Sequence, residues 1–373
     1  MKRLVTTICV ALLAFNPALA DSPPAADPTL ASMIEQLGLR EDSRPSRDLP
    51  GWKKPTKAVV WLDSESRLPA LRAVAPGVEI VLAANLDAAK GAIDGAQVLL
   101  GYCNQDLLDL GNQVHWVQVY SAGVENCVSN AAMHQHNRVL TNGQKIASPA
   151  LAEHAIGMML ALARGFDQYH ASQLRSEWER QNDLAGGQVM ELEGRTLLVV
   201  GLGGIGGQVA KRGHGLGMRV IATRNSGREG PSYVDYVGLS DELLTLAAQA
   251  DVVINTVPLT EQTTGLFDAK FFEAMKSTAL FISVGRGAST VTDDLVAALK
   301  SGQIGGAGLD VTDPEPLPAG HPLWSMPRVL ISPHVAGRSD RSLDRLFLLV
   351  QENLRRYVAG EPLLSVVDIE RGY

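Results

Sequence analysis

The chain has no surplus of positive charge, no apolar run long enough to cross a bilayer, and only three cysteines. Its formal net charge of -7 excludes a general nucleic-acid partner, because phosphate binding needs a basic surface. The N-terminal apolar run, Leu4 to Phe15, is shorter than the roughly 20 residues of a spanning helix, so no membrane anchor is expected. No repeat of solenoid length is present, and no metal is expected. At 46% hydrophobic and 20% charged residues, the composition also excludes a fibre, a coiled coil or an extended disordered chain. What remains is a globular protein, long enough at 373 residues for two domains.

The first twenty residues stand apart. Lys2 and Arg3 precede the apolar run, the helix breaker Asn16-Pro17 follows it, and Ala18-Leu19-Ala20 comes last. Charged, apolar, then small-x-small is the order of a secretory signal peptide. Residues 1–20 are expected to direct export, with the protein in the periplasm; the alternative is a misassigned start and a cytoplasmic protein. No cysteine follows Ala20, so a lipoprotein is not indicated. Removal of the segment would take Cys9 and leave Cys103 and Cys127, either bridged in an oxidising compartment or buried as free thiols.

Residues 21–56 are rich in Pro, Asp, Ser and Arg and read as a linker or surface strap. Within them Leu30 to Leu39 has a short amphipathic helical pattern that ends near Gly38. From Lys57 short apolar runs appear at Ala58–Leu62, Val78–Leu82, Val98–Leu100 and Val114–Val119. Leu151 to Arg164 is a long apolar helical stretch, suited to a buried helix between domains. A second block has strands at Thr196–Val200, Arg219–Ala222, Val252–Asn255, Ala279–Val284, Gly306–Leu309 and Val329–Ile331, with helical patterns at Asp241–Ala250, Ala269–Met275, Thr292–Ser301 and Ser342–Ala359. Short buried strands alternating with helices predict an α/β fold with parallel sheets covered on both faces. The expected division is residues 57–150 plus 336–373 as a substrate domain and 151–335 as a dinucleotide-binding domain.

The glycine motif sits at the head of the second block. Gly201, Gly203, Gly204, Ile205 and Gly206 follow a predicted strand and open a predicted helix. In that context the glycines allow a tight turn and let backbone approach a pyrophosphate, which the helix N-terminus attracts. The bland alternative is a glycine-rich turn without a ligand. An NAD site usually carries an acidic residue at the end of the next strand. Here that strand ends in Thr223, Arg224, Asn225 and Ser226, and an arginine there suits a 2'-phosphate. NADP(H) is therefore preferred, with NAD(H) retained as the alternative if Arg224 is only a surface residue.

Three later segments end strands with chemistry-bearing residues. They are Ser283-Val284-Gly285-Arg286-Gly287, Gly308 to Pro316 with Asp310 and Glu315, and Ser332 to Gly337 with His334. Ligands of doubly wound sheets bind outside the carboxyl ends of strands. At this point the chain, from about Lys57 to Glu361, resembles the D-isomer-specific 2-hydroxyacid dehydrogenase family. The resemblance rests on the order and spacing of VYSAGVEN at Val119–Asn126, AEH at Ala152–His154, the glycine motif, VPLT at Val257–Thr260, and the three segments above. PAGHPLW at Pro318–Trp324 resembles the glyoxylate/hydroxypyruvate reductase branch.

The resemblance implies two doubly wound Rossmann-like domains with a cleft between them. It also implies a hydride exchanged between the cofactor and a small 2-keto or D-2-hydroxy acid, and a homodimer. His334 would be the acid/base, Glu315 would hold it and stabilise its imidazolium, and Arg286 would grip the substrate carboxylate. Ala122, Gly123 and Val124 would hold that carboxylate through backbone N–H groups, Tyr102 would line the substrate pocket, and Trp324 is a further pocket candidate. Asp310 would orient the nicotinamide carboxamide, with Val257, Pro258, Thr263, Val284, Gly285, His334 and Gly337 also at the cofactor. Taken singly, each residue has a duller reading as a structural histidine, a solvated arginine or a turn acid. Two positions depart from the family pattern: Ser283 stands where Asn is frequent, and Glu125 where Asp is, a change expected to matter little. Glu315 stands where formate dehydrogenases carry Gln, which disfavours formate. A nucleotide-binding sensor without catalysis is the competing reading, and export adds a difficulty, since free NADP(H) is scarce outside the cytoplasm.

Overall fold

A computed structural model describes residues 30–178, 180 and 189–371. The expected export signal, and the strap's first residues, lie outside them. Two parallel sheets organise the chain. Strands β1 (Lys57–Val60), β2 (Glu79–Leu82), β3 (Val98–Leu100), β4 (Trp116–Gln118) and β5 (Val139–Thr141) form one sheet in the order β2-β1-β3-β4-β5. Strands β6 (Thr196–Val200), β7 (Arg219–Thr223), β8 (Tyr236–Gly238), β9 (Val252–Asn255), β10 (Leu280–Ser283), β11 (Gly306–Leu309) and β12 (Val329–Ile331) form the other, in the order β12-β11-β10-β9-β6-β7-β8. Both are doubly wound orders, with the direction of winding reversing beside β1 and beside β6.

The strands form where the apolar runs predict them because both faces of each sheet are covered, so uninterrupted Val, Ile and Leu is the right content. Every residue of β6, β9, β10 and β11 is buried. Two strands escape the sequence reading. β5 is three residues long, and β8 is a three-residue edge strand with Tyr236 exposed, too short for periodicity to register. The apolar stretch expected to be a buried helix is Ser148–Ala163. It is apolar all round because its Ala152, Ala155, Met159 and Leu162 pack among Leu197, Val199, Val209 and Ala210 of the second sheet's core.

The helix Ser342–Ala359 returns to the first sheet, where Val350, Leu354 and Tyr357 pack with Ala58, Val60 and Trp116. A buried polar chain fixes that packing. Trp116 Nε1 donates to Thr141 Oγ1 at 2.8 Å, Thr141 Oγ1 donates to Gln118 Oε1 at 2.7 Å, and Asn353 Nδ2 donates to the same oxygen at 3.0 Å. Each member is satisfied, so the cluster orients the helix without a desolvation penalty left open.

The strap is tied down along its described length. Its helix, Leu30–Leu37, ends at Gly38 as the pattern predicts. Met33 and Leu39 bury with Ile146, Leu349 and Leu364. Glu41 bridges Leu364 and pairs with Arg356 at 2.8 Å.

Cys103 and Cys127 are bonded, with Cα atoms 5.5 Å apart and 24 positions between them in the chain. The two readings left open by the sequence are thereby decided in favour of the bridge. Closing that loop limits the unfolded chain, a contribution of about 2–4 kcal/mol. Replacing both cysteines by Ser should lower the melting temperature by several degrees. Excess thiol should produce the same shift in the wild-type protein and none in the variant, and equal melting of all samples would mean the bridge carries no stability.

Candidate active site

The glycine loop follows β6 directly. Gly201 turns the chain at φ +95°, and Gly203 caps the helix Gly204–Gly215 with no side chain and open space where a Cβ would point. Gly206 is required by close approach, since a Cβ there would lie 2.1 Å from the Gly201 carbonyl oxygen. Unpaired first-turn amides and the helix dipole make this end a favourable place for phosphate. The cradle therefore fits a dinucleotide.

The end of β7 lies beside this loop, with the N–H groups of Gly201 and Leu202 donating to Thr223 O at 3.2 and 3.0 Å. Arg224 is half-buried and donates through Nη1 to Glu229 O at 3.0 Å, while Asn225 and Ser226 are exposed. Val257 packs its side chain on Gly201, and Thr263 Oγ1 donates to Pro258 O at 2.6 Å. Val284 is buried, and Gly285 lies against the Val257 carbonyl. Ser283 faces inward, where it accepts a hydrogen bond from Asn255 Nδ2 at 3.0 Å. Its departure from the family pattern thus alters an interior contact.

Asp310 is buried, and its carboxylate turns into the loop that carries His334. Oδ1 accepts from Ser332 Oγ at 2.6 Å and from Val335 N at 2.9 Å, and Oδ2 accepts from Ala336 N at 3.0 Å. Both oxygens are engaged within the protein. His154 adds a bond between Nε2 and Ser332 Oγ at 2.8 Å. His334 has φ +53°, a left-handed conformation that costs about 1–3 kcal/mol in a non-glycine residue. Its N–H donates to Asp310 O at 2.8 Å.

The imidazole of His334 meets Glu315 at 2.6 Å between Nδ1 and Oε1, with the two side chains 47% and 42% exposed. Among the described residues Nε2 has no partner. With Nδ1 protonated toward the carboxylate, Nε2 is the nitrogen able to exchange a proton with a ligand.

Arg286 reaches the first sheet's loops. Its Nε donates to Glu125 Oε1 at 2.9 Å, and its Nη1 donates to Gly285 O at 2.9 Å. A Cβ on Gly123 would fall 1.8 Å from Arg286 Nη2, so glycine alone admits the guanidinium against this backbone. A cavity of about 430 Å³ opens beside the pair, lined by Trp61, Tyr102, Tyr120, Gly123, Val124, Glu125 and the Cys103–Cys127 bridge, among others. Burial pushes the Tyr102 and Tyr120 phenols above their usual range, so both stay neutral. Their hydroxyls are tied to Ala83 O at 2.8 Å and Trp61 O at 2.6 Å, which turns ring surface toward the cavity.

Of the residues singled out in the sequence, Tyr102, Gly123 and Val124 line this cavity, Arg286 lies against Gly123 and Glu125, and Glu315 meets His334. Ala122 anchors the loop through its carbonyl, which accepts from Asn142 Nδ2 at 2.7 Å. Gly337 lies against Ala147 and Leu151, next to Ser148, which faces Gly204 of the glycine loop. Trp324 is half-exposed, outside the cavity wall, and donates to Pro318 O at 3.0 Å. Sequence reasoning missed Trp61 and the bridge as wall elements, and Glu125 as the partner of Arg286, since 161 positions separate that pair. No group of three or more His, Cys, Asp or Glu able to hold a metal occurs among the described residues, and no described helix is long and apolar enough to cross a membrane.

Residues 156–336 match the sequence model of the D-isomer specific 2-hydroxyacid dehydrogenase NAD-binding domain. A glycerate dehydrogenase of Methylorubrum extorquens is 33% identical over 63% of this chain and 73% of its own length. The crystal structure of a D-isomer specific 2-hydroxyacid dehydrogenase family protein from Aeromonas salmonicida is 32% identical, with a TM-score of 0.73 over 85% of this chain and 100% of that one. An NADPH-dependent glyoxylate/hydroxypyruvate reductase from Sinorhizobium meliloti, solved with NADP and sulfate, is 26% identical with a TM-score of 0.73 over the same shares.

The glycine cradle makes a direct prediction. Gly206→Ala should weaken NADPH and NADH binding, read by nucleotide fluorescence, by about tenfold or more, because its methyl group displaces backbone at the phosphate site. Undiminished binding in a folded variant would remove the cradle from the cofactor site.

Proposed function

The chain belongs to the D-isomer specific 2-hydroxyacid dehydrogenase family, and from that premise we propose that it reduces a small 2-keto acid of the glyoxylate or hydroxypyruvate type with NADPH, using His334 as proton donor. Family membership makes it an NAD(P)-dependent oxidoreductase acting on small 2-hydroxy or 2-keto acids. The finer reading rests chiefly on one observation, the 2.6 Å pairing of His334 Nδ1 with Glu315 that leaves Nε2 without a partner among the described residues.

The proposed reaction divides among few residues. Arg286 holds the substrate carboxylate through Nη2, aided by the backbone N–H groups around Gly123 and Val124. Its charge also favours the negative charge that builds on the keto oxygen. The nicotinamide supplies hydride when bound. His334 gives its Nε2 proton to the keto oxygen, and Glu315 stabilises the imidazolium that precedes transfer. Asp310, through its bonds to the loop at Val335 and Ala336, keeps the imidazole in place.

The preference for NADPH is supported by Arg224 and by the lack of a carboxylate at the end of β7. The disulfide supports action in an oxidising compartment, in keeping with export. Exposed Phe166, Leu174 and Trp178 on one stretch of chain support a homodimer contact there.

Absorbance at 340 nm tests the reading. NADPH should be consumed faster than NADH with glyoxylate or hydroxypyruvate. His334→Asn should lower kcat by about 10²–10⁴-fold while NADPH binding persists, and a variant that kept most of its rate would exclude His334 as proton donor. Arg224→Ala should erode the preference for NADPH over NADH by about tenfold. An unchanged cofactor ratio would assign the 2'-phosphate to other groups. A folded wild-type protein that binds nucleotide yet reduces no keto acid would favour the sensor reading.

A further inference from the structure

The glycine cradle has a second helix beside it and a lysine laid against it. The helices Ser148–Ala163 and Gly204–Gly215 begin side by side, since a Cβ on Gly204 would lie 3.0 Å from Ser148 Oγ. Neither start carries a side-chain cap or an acidic residue in its first turn. Two sets of unpaired amides and two positive dipole ends therefore meet without a counter-charge of their own. Lys145 adds a full charge to them. Its carbonyl accepts from Ser148 N at 3.1 Å, and a Cβ on Gly204 would fall 2.7 Å from its Cγ. The lysine stem thus occupies the space that a side chain at position 204 would need.

The N-terminal strap seats that lysine. Nζ donates to Gly38 O, at the C-terminal end of the strap helix Leu30–Leu37, where the dipole favours a cation. Beside it, Leu39 buries with Ile146. The bond to Gly38 takes one of the three ammonium hydrogens and is made to a neutral group. Lys145 is half-buried, and burial first, then the charge of Arg40 on the strap, holds its ammonium below the usual range. No carboxylate opposes these two effects. A cation so placed gains from an anion brought beside it.

We propose that Lys145, seated by the strap, supplies the positive charge that holds the pyrophosphate of the cofactor. The inference rests on the reading that the glycine loop cradles that pyrophosphate. Gly204, the first residue of the phosphate-facing helix, has no side chain to contribute, and Lys145 brings a cation to the same spot from the loop before Ser148. The pyrophosphate is common to NADPH and NADH. The lysine therefore raises affinity for both and leaves the choice between them to groups at the 2'-position. Through this one side chain the strap becomes part of the cofactor site.

Binding measurements test this apart from turnover. Calorimetry gives dissociation constants for NADPH, NADH and ADP-ribose, the last carrying the pyrophosphate without the nicotinamide. In Lys145→Met all three constants should rise by about tenfold at low salt, with the ratio of NADPH to NADH unchanged. At about 1 M salt, where screening acts within about 3 Å, the difference from wild type should largely vanish. Lys145→Arg should bind as wild type does. Equal constants for wild type and Lys145→Met would overturn the inference and leave Lys145 as a tether for the strap. A loss that persists undiminished at high salt would overturn it too, because position and not charge would then be responsible. The wild-type protein alone gives a second test that needs no variant to fold: its constant for ADP-ribose should rise about tenfold or more from about 0.05 M to 0.5 M salt, and a salt-independent constant would overturn the inference. A folded wild-type protein that binds none of the three nucleotides would instead overturn the cradle reading, and this inference with it.

Discussion

The buried carboxylate of Asp310 is the constraint on which the site depends. It sits just past β11, buried, and takes three hydrogen bonds from the loop beyond β12. That loop holds His334 at φ +53°, a conformation its own side chain disfavours. A buried charge without partners would be intolerable, so the loop must close on Asp310 to satisfy it. The strain at His334 is thus held by charge-assisted bonds made by its neighbours. His154, on the long apolar helix, reaches the same place through Ser332 and connects that helix to the loop.

Parallel sheets put this arrangement where it can act. Their strands run the same way, so the glycine loop after β6, Asn255 at the end of β9 and Val257 beyond it, Arg286 after β10, Asp310 after β11 and His334 after β12 gather at one edge. The winding reverses beside β6, which opens a crevice at that edge. The second wall comes from the other sheet, through Tyr102 after β3 and the Ala122–Glu125 loop after β4. The ion pair between Glu125 and Arg286 spans the two, and Gly123 lets the Nη2 end of the guanidinium approach the facing backbone. The Cys103–Cys127 bridge ties the Tyr102 loop to the short helix Glu125–Val128 that follows the Ala122–Val124 loop, so two segments of the cavity wall cannot part independently.

Much of this was legible beforehand. β3, β6, β9, β11 and β12 and the helices Thr292–Ser301 and Ser342–Ala359 fall at the residues that periodicity predicts, because buried parallel strands and two-sided helix packing leave continuous apolar records. The glycine turn, Arg286, Glu315 and His334 were also visible, since each lies within a few residues of a strand end and in a recognisable order. β5 and β8 left no trace, being three residues each. The strap read as a surface linker, and its docking through Met33, Leu39 and Glu41 depends on partners remote in the chain, Ile146, Leu349, Arg356 and Leu364.

The sequence by itself determined the class of fold, the order of strand-end residues and the family to which they belong, because those are properties of local pattern and spacing. Only the tertiary structure decided what each residue does to its neighbours. It bonded Cys103 to Cys127, turned Asp310 inward to the His334 loop, sent Ser283 into the sheet interior, and joined Glu125 to Arg286. Each of these outcomes is a distance between groups remote in the chain. Such distances follow from how strands pair within each sheet and how the two sheets meet, which no local pattern records.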